Sequence, residues 1–432
     1  MALLQVALDF VDLDRALKCA REAAAGGADV LEAGTPLIKS EGLECVRALR
    51  REFPGLRVVA DLKTLDAGRT EMECAAKAGA HAAVVVALAG EATVAECVRA
   101  GENYGIEVQV DLLGAADPAA MATRAEALGA AQVGVHLSID EQMKGGADPL
   151  AVLRAVRAAV KIPVAVAGGL TAETAAGAAK AGADVLIVGG AIHKASDSAA
   201  ATAAVKKAIE TGAAGADAAG LYRRVTGENL REAFEKVSTP NLSDGAHRRP
   251  CCEGLRPVAP GLRLVGRAFT VRAYPGDWSK PVEAIDLASP GDVIVVDAGG
   301  LGPALWGELA THSAIGKGIA GVVVDGAVRD TPEIRRLGFP AFSRLVTSNA
   351  GEPKGLGETG VPVSVGGVRV SPGDWIVADD DGVMVVPARE AAEMANHAMD
   401  CLEKENRIRA EIEGGKTTLG QVTHLLKWEK IG

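Results

Sequence analysis

The residues best suited to chemistry in this chain recur at one kind of place, the C-terminal end of a short apolar run. Asp9, Glu32, Asp61 with Lys63, Asp111, His136, Gly168-Gly169 and Gly189-Gly190 close seven of eight such runs in the first 190 residues. Only the fourth run, Ala82–Leu88, ends without a polar candidate. A lysine held among carboxylates stays charged and stabilises a developing enolate oxygen. Residues two apart on a strand face the same way, so Asp61 and Lys63 are expected to point into one site. Glu32 can join Asp61 as a ligand for a divalent ion, and Mg²⁺ or Mn²⁺ favours such oxygen donors. His136 suits a proton shuttle, because imidazole titrates near neutrality. The two Gly-Gly pairs, each opening a helical segment, offer backbone N–H groups to a phosphate, with Lys194 as a nearby cation.

The spacing says which elements must hold these groups. Successive run ends lie 21 to 32 residues apart, the length of a strand, a helix and two turns. That pitch predicts parallel βαβ units, and eight of them predict a (β/α)₈ TIM barrel with its site at the strand C-termini. An acid at a strand end can also be no more than a helix cap. A ring of acids with a lysine, a histidine and two Gly-Gly turns is a stronger pattern than caps alone would give.

At 432 residues the chain is expected to hold two domains. The boundary is placed in the Ala/Gly-rich stretch 211–220, giving a barrel over 1–210 and a second domain over 221–432. That domain is expected to open with a helix over 221–237. β-rich stretches follow at 263–274, 292–296 and 321–324, then a hairpin at 374–387 turning on Asp379–Gly382, and a closing helix at 387–414. A net charge of −10 and only 3% aromatic residues argue against a nucleic-acid partner. Seven cysteines without a CxxC pair argue against a disulfide framework and fit a reducing cytoplasm. The sequence shows neither a signal-peptide pattern nor an apolar stretch long enough for a membrane span.

The second half carries its own constellation. Gly299-Gly300-Leu301-Gly302 reads as a glycine-rich anion loop before a helix that holds Glu308. Arg329-Asp330 follows an apolar strand and a Gly turn, and divides labour on paper: Asp330 binds Mg²⁺ and Arg329 clamps a substrate carboxylate.

The segments DLKTLDAG, LEAGTPLIKSEG, VDLLG, VGVHLSIDEQM, AVAGGL and IVGGAI resemble 3-hexulose-6-phosphate synthases of the orotidine-phosphate decarboxylase superfamily, over essentially all of residues 1–210. The resemblance implies a Mg²⁺-dependent aldol reaction of ribulose 5-phosphate with formaldehyde, or its reverse. It implies Glu32 and Asp61 as metal ligands, Lys63 supporting the enediolate, and His136 moving the C1 proton. Asp9 belongs to the same catalytic set, and Asp111 orients His136 or a water. Asp66 would reach across a barrel dimer. The alternative is a 3-keto-L-gulonate-6-phosphate decarboxylase. Those enzymes carry Glu where this chain has Asp111 and Arg where it has Ile139, which favours the synthase.

STPNLSDGAHR, the Gly-rich-to-Arg-Asp stretch and SPGDWIVADDDGVMVVP resemble the family of RraA regulators and class II 4-hydroxy-4-methyl-2-oxoglutarate aldolases, over about 221–432. That resemblance implies a β/β/α swivelling-type fold, trimers or higher oligomers, and either a second metal-dependent lyase or a non-catalytic interaction module. The aldolases carry an acid, twenty residues, then Arg-Asp; Glu308 and Arg329-Asp330 keep that spacing.

Overall fold

The computed structural model describes residues 1–144, 149–215, 222–415 and 417–423. It divides into two compact units, one made of Met1–Gln142, Gly146–Arg223 and Glu403–Gly432, the other of Met143–Gly145 and Arg224–Leu402.

The first unit is a closed barrel of eight parallel strands. They are β1 (Leu3–Leu8), β2 (Val30–Ala33), β3 (Arg57–Thr64), β4 (Ala82–Val86), β5 (Glu107–Asp111), β6 (Gln132–His136), β7 (Val164–Ala167) and β8 (Val185–Val188), and β1 closes on β8. Strand alternation sorts their side chains. Leu31, Val58, Ala60, Ala83 and Val85 join the large apolar layer under the helices, whereas Val30, Val59, Ala82 and Val84 form a small separate cluster. Glu32 and Asp61 lie two residues beyond Val30 and Val59, so the strand period turns them to the same side as that cluster. Other acids are helix caps: Asp12, Asp117 and Asp197 accept the N–H of Arg15, Ala120 and Ala200 at 3.0, 3.0 and 2.9 Å. The cap reading therefore holds for a second set of acids, not for those on the strand ends.

Three boundaries differ from expectation. The helix before the linker runs Ser198–Thr211; of the linker 211–220, residues 216–220 lie outside the described residues. Of the helix expected over 221–237, only Leu230–Lys236 is helical among the described residues, because Asn229 takes φ 60° and Gly227 φ 121°, which no helix propagates through. The last helix, Ala391–Gly415, does not belong wholly to the second domain as expected; from Glu403 on it is part of the barrel unit. Burial of Arg407 is the physical reason. Its guanidinium, 6% exposed, donates to the Ala195 carbonyl at 2.5 Å and to Glu411 and Glu22 at 2.8 and 3.1 Å.

The second unit is a mixed sheet in the order Gly382–Val386, Trp375–Asp379, Leu264–Ala273, Val293–Asp297, Gly321–Val328, Ala341–Val346, Arg256–Pro257. Its central strands read apolar throughout because both faces are covered. Ile294, Val296, Val322 and Val324 pack in one core with the helical residues Ala284, Ile285, Ala314 and Ile334. Val293, Val295 and Val323 pack in another with Val363, Val370, Ile376 and Val385, which completes a β/β/α layering. The hairpin turns where the sequence placed it, with Asp379 opposite Gly382.

Asp277 knits this unit together. It is 2% exposed and accepts the N–H groups of Ser279, Lys354 and Leu356 at 3.0, 3.1 and 2.8 Å. Burial alone would raise its pKa, but the Ser279 hydroxyl and these N–H groups outweigh it and hold the carboxyl below its usual range. A depressed folded pKa stabilises above the unfolded value of about 4 and loses that contribution as pH falls. Asp277→Asn is thus expected to cost about 1–3 kcal/mol at pH 7. The gap in urea midpoint between variant and wild type should narrow toward pH 3; a gap that stays constant with pH contradicts this role.

Candidate active site at the barrel mouth and an Arg-Asp cluster in the second unit

Strand ends β1, β2, β3, β5 and β6 bring six of the sequence candidates together: Asp9, Glu32, Asp61, Lys63, Asp111 and His136. Lys63 Nζ lies 2.7 and 2.8 Å from the two carboxylate oxygens of Asp61 and 2.9 Å from Asp111 Oδ2. The same Asp111 oxygen stands 2.8 Å from His136 Nδ1. The side chains of Asp61 and Asp111 are 8% exposed and those of Lys63 and His136 20% and 24%, so the carboxylates lie deeper than the lysine and the imidazole.

The route to this geometry is not the regular alternation expected. Lys63 adopts φ 50°, and the β3–β4 register shifts between Ala60 and Thr64. A left-handed residue at a strand end bends the backbone, and the ammonium swings back onto the carboxylate two residues earlier. Positive φ in a lysine costs about 1 kcal/mol or more and survives only where surroundings impose it.

Charge sets the protonation states. Burial lowers the Lys63 pKa, but Asp61 and Asp111 outweigh it and the net shift is upward, which keeps the ammonium charged. Burial raises Asp111, yet the His136 hydrogen bond, the His136 charge and Lys63 bring it down to about 2. Glu32 moves the other way: burial, then Asp61 and Asp9, raise its pKa. Asp9 is raised too, by burial first and then by Asp61. Three carboxylates repelling one another in a buried mouth, all oxygen donors, fit a hard dication on Glu32 and Asp61.

Several supporting residues carry no motif signal of their own. Gln5 donates to Glu32 Oε2 from the neighbouring strand. Thr35 Oγ1 donates to Asp61 Oδ2 at 2.7 Å and to the Asp61 carbonyl at 3.0 Å. Gly34 has to be glycine because a Cβ would collide with the Asp9 carboxylate. Thr35 stood inside the quoted segment LEAGTPLIKSEG, but only the fold puts it beside Asp61. Asp66 is not part of the cluster; it is exposed and its carboxylate accepts the N–H of Ala67 at 2.7 Å.

The glycine pairs after β7 and β8 are backbone devices. Gly168 and Gly169 take φ 112° and 66°, and a Cβ on Gly168 would come within 2.6 Å of the Leu137 carbonyl. A Cβ on Gly190 would sit 3.6 Å from Lys194 Nζ, so the lysine lies over that turn. Lys194 is 3.5 Å from Glu403, whose side chain is fully buried, and Glu403 also accepts the Tyr222 N–H at 2.9 Å.

In the second unit the glycine loop does not offer the anion cradle expected. Gly299 N–H is taken by Asp297, Gly300 N–H by the Asp325 carbonyl, and Leu301 N–H by the Ala298 carbonyl. Strand Ala304–Trp306 then intervenes before the helix Glu308–Lys317, so Gly302 does not open it. Nor does the strand before Arg329 stop at a Gly turn; it runs Gly321–Val328, with Gly326 inside it. Arg329, Asp330 and Glu308 do meet. Asp330 Oδ2 accepts the Glu308 N–H at 3.1 Å and lies 3.5 Å from Arg329 Nε. Gly307 permits this, since a Cβ there would reach within 2.5 Å of Asp330 Oδ2. The Glu308 carboxylate points elsewhere, 3.9 Å from His312 Nε2.

Known proteins match each half. Residues 2–205 match the family model described as orotidine 5′-phosphate decarboxylase / HUMPS family, and residues 239–385 the one described as RraA-like, Aldolase/RraA. A 3-hexulose-6-phosphate synthase of Mycobacterium gastri is 42% identical over 206 residues, 48% of this chain and 99% of that protein. A putative 4-hydroxy-4-methyl-2-oxoglutarate aldolase of Halalkalibacterium halodurans is 45% identical over 134 residues, 31% of this chain and 64% of that protein. A crystal structure of a 3-hexulose-6-phosphate synthase aligns with TM-score 0.46 at 41% identity, covering 48% of this chain and 99% of that one. Among the described residues no helix is long and apolar enough to cross a membrane.

Proposed function

The chain belongs to the orotidine 5′-phosphate decarboxylase/HUMPS family through residues 2–205 and carries an RraA-like region over 239–385, and on that premise we propose that its barrel is a 3-hexulose-6-phosphate synthase. The reaction joins D-ribulose 5-phosphate and formaldehyde, or runs in reverse. The observation that carries the reading is the single ammonium of Lys63 bridging Asp61 and Asp111, with Asp111 in turn on His136.

Asp111 occupies Nδ1 of His136, which leaves Nε2 to take the proton from C1 of the pentulose. Lys63 places a fixed positive charge where the enediolate oxygen develops, in a mouth where such a charge acts with little screening. The enediolate carbon then bonds to the formaldehyde carbon, and the new alkoxide takes up a proton. Glu32 and Asp61 would hold Mg²⁺ or Mn²⁺, which when bound polarises the C2 carbonyl as a Lewis acid. The Gly168-Gly169 and Gly189-Gly190 turns, with Lys194, would hold the phosphate. Asp66, exposed and outside the cluster, would face a second copy of the barrel.

The direct test is formaldehyde consumption by the full-length protein with ribulose 5-phosphate, with and without EDTA. EDTA-sensitive turnover is expected. Carbon dioxide release from 3-keto-L-gulonate 6-phosphate with no formaldehyde turnover would put the barrel in the decarboxylase branch. Asp111→Asn should lower kcat by about 10²–10⁴-fold, the range for losing a positioned base, because Asn no longer holds His136 with Nε2 free to take the proton, while KM for the pentulose changes little. A kcat within threefold of wild type removes Asp111 from the mechanism.

For the second unit, the Glu308, Arg329 and Asp330 juxtaposition supports a metal-dependent lyase acting on a carboxylate substrate, with Arg329 as the carboxylate clamp. The test is aldolase activity of the full-length protein against 4-hydroxy-4-methyl-2-oxoglutarate: a lyase loses it in Arg329→Ala, and a non-catalytic interaction module shows none in the wild type.

A further inference from the structure

Glu308 and His312 lie one turn apart on the helix Glu308–Lys317, and Glu333 comes from a different helix, Thr331–Arg336. The fold brings one ligand atom of each within 4.8 Å of the others. His312 Nε2 is the hub, 3.9 Å from Glu308 Oε1 and 4.0 Å from Glu333 Oε1. We propose that Glu308, His312 and Glu333 form a site for a first-row divalent transition metal such as Zn²⁺, with a further coordination position open to solvent.

Chemistry and geometry both support the assignment. Metal–ligand bonds of ~2.1 Å at tetrahedral angles separate ligand atoms by ~3.4 Å, so the two His312 gaps need close by about half an ångström and the Glu308–Glu333 pair, within 4.8 Å, by at most about 1.4 Å. The Glu308, His312 and Glu333 side chains are 44%, 49% and 26% exposed, so changes of side-chain torsion can close these gaps without moving either helix. One imidazole nitrogen with two carboxylate oxygens favours Zn²⁺, Co²⁺ or Ni²⁺ over Mg²⁺, which prefers an all-oxygen shell. The site does not use Asp330, the metal position singled out in the sequence, whose Oδ2 accepts the Glu308 N–H; it shares only Glu308 with that cluster. It is also separate from the barrel carboxylates, and it stands or falls independently of the aldol reading.

One local competitor faces the set. Arg336 Nε donates to both oxygens of Glu333 at 2.9 Å. That arginine is 67% exposed, and a surface pair of this kind contributes little against a coordinate bond. A metal displaces it.

The test is calorimetric titration of Zn²⁺ into the full-length protein at pH 7.5, with Co²⁺ absorption as a second readout of nitrogen ligation. Wild type should show a binding event that His312→Ala weakens by at least about 100-fold, more than the 10–100-fold expected for an outer partner. Glu333→Gln should weaken it as well, and Arg336→Ala should tighten it. Asp61→Asn, in the barrel, should leave it unchanged, which separates this site from the ion proposed for the aldol reaction. Circular dichroism checks that each variant folds. The proposal is overturned if His312→Ala binds Zn²⁺ with wild-type stoichiometry and affinity, or if only Asp61→Asn abolishes binding.

Discussion

Lys63→Met should abolish the barrel's turnover, lowering kcat by at least about 1,000-fold, or roughly 4 kcal/mol in barrier. Removing one preorganised donor to a developing oxyanion costs about 10²–10³-fold by itself. Here the same substitution also removes the ammonium that bridges the buried carboxylates of Asp61 and Asp111. Their repulsion opposes the enediolate as well, so the loss should exceed that of a donor alone. Lys63→Arg should not restore activity, because a planar fork cannot reproduce a point charge held 2.7 and 2.9 Å from two carboxylates. The fold should survive, since the side chain lies at the polar mouth and its left-handed backbone is a cost that methionine does not increase. Steady-state kinetics together with a melting curve decide it: a folded Lys63→Met enzyme within tenfold of wild-type kcat would refute the assignment.

The largest stability effect is expected far from that chemistry, at Arg407. Its guanidinium donates to two backbone carbonyls, Ala195 at 2.5 Å and Ser196 at 3.2 Å, and to Ser198, Glu22 and Glu411. Burial lowers its pKa, but Glu411 and Glu22 more than compensate and the net shift is upward. Arg407→Met strips the counter-charge from Glu22 and leaves carbonyl acceptors buried without donors. Breaking a buried pair from one side costs about 3–5 kcal/mol, or roughly 10 °C in the melting temperature of a unit this size. Arg409, exposed two residues away, provides the control, and Arg409→Met should shift stability by less than about 0.5 kcal/mol. Equal urea midpoints for the two variants would show that the C-terminal segment contributes nothing to the barrel unit.

Much of the site was legible because a parallel barrel repeats a simple rule. Each strand ends at the same face, so Asp9, Glu32, Asp61, Asp111 and His136 announce themselves as polar residues closing Val- and Ala-rich runs. Gln5 and Thr35 gave no such signal. Gln5 sits inside an apolar run and Thr35 follows one, and each joins the cluster only through a hydrogen bond to a neighbour on another strand. The glycine loop of the second half misled for a related reason. A sequence shows that glycines can expose N–H groups, not whether Asp297 or a carbonyl such as that of Asp325 has already taken them.

The sequence by itself determined the number and order of barrel strands, the face on which their polar ends collect, and the hairpin at Asp379–Gly382. These follow from local period and turn chemistry, which act over a few residues. Tertiary structure alone decided that Lys63 bends out of the strand to bridge two acids, that Glu403 and Arg407 bury themselves against the barrel, and that Glu308 turns toward His312 and Glu333 rather than Asp330. Each of those outcomes balances burial of a charge against the partners that offset its desolvation. The partners lie from 2 to more than 200 residues away in sequence, as Lys63 with Asp61 and Arg407 with Ala195 show, and no local pattern specifies them.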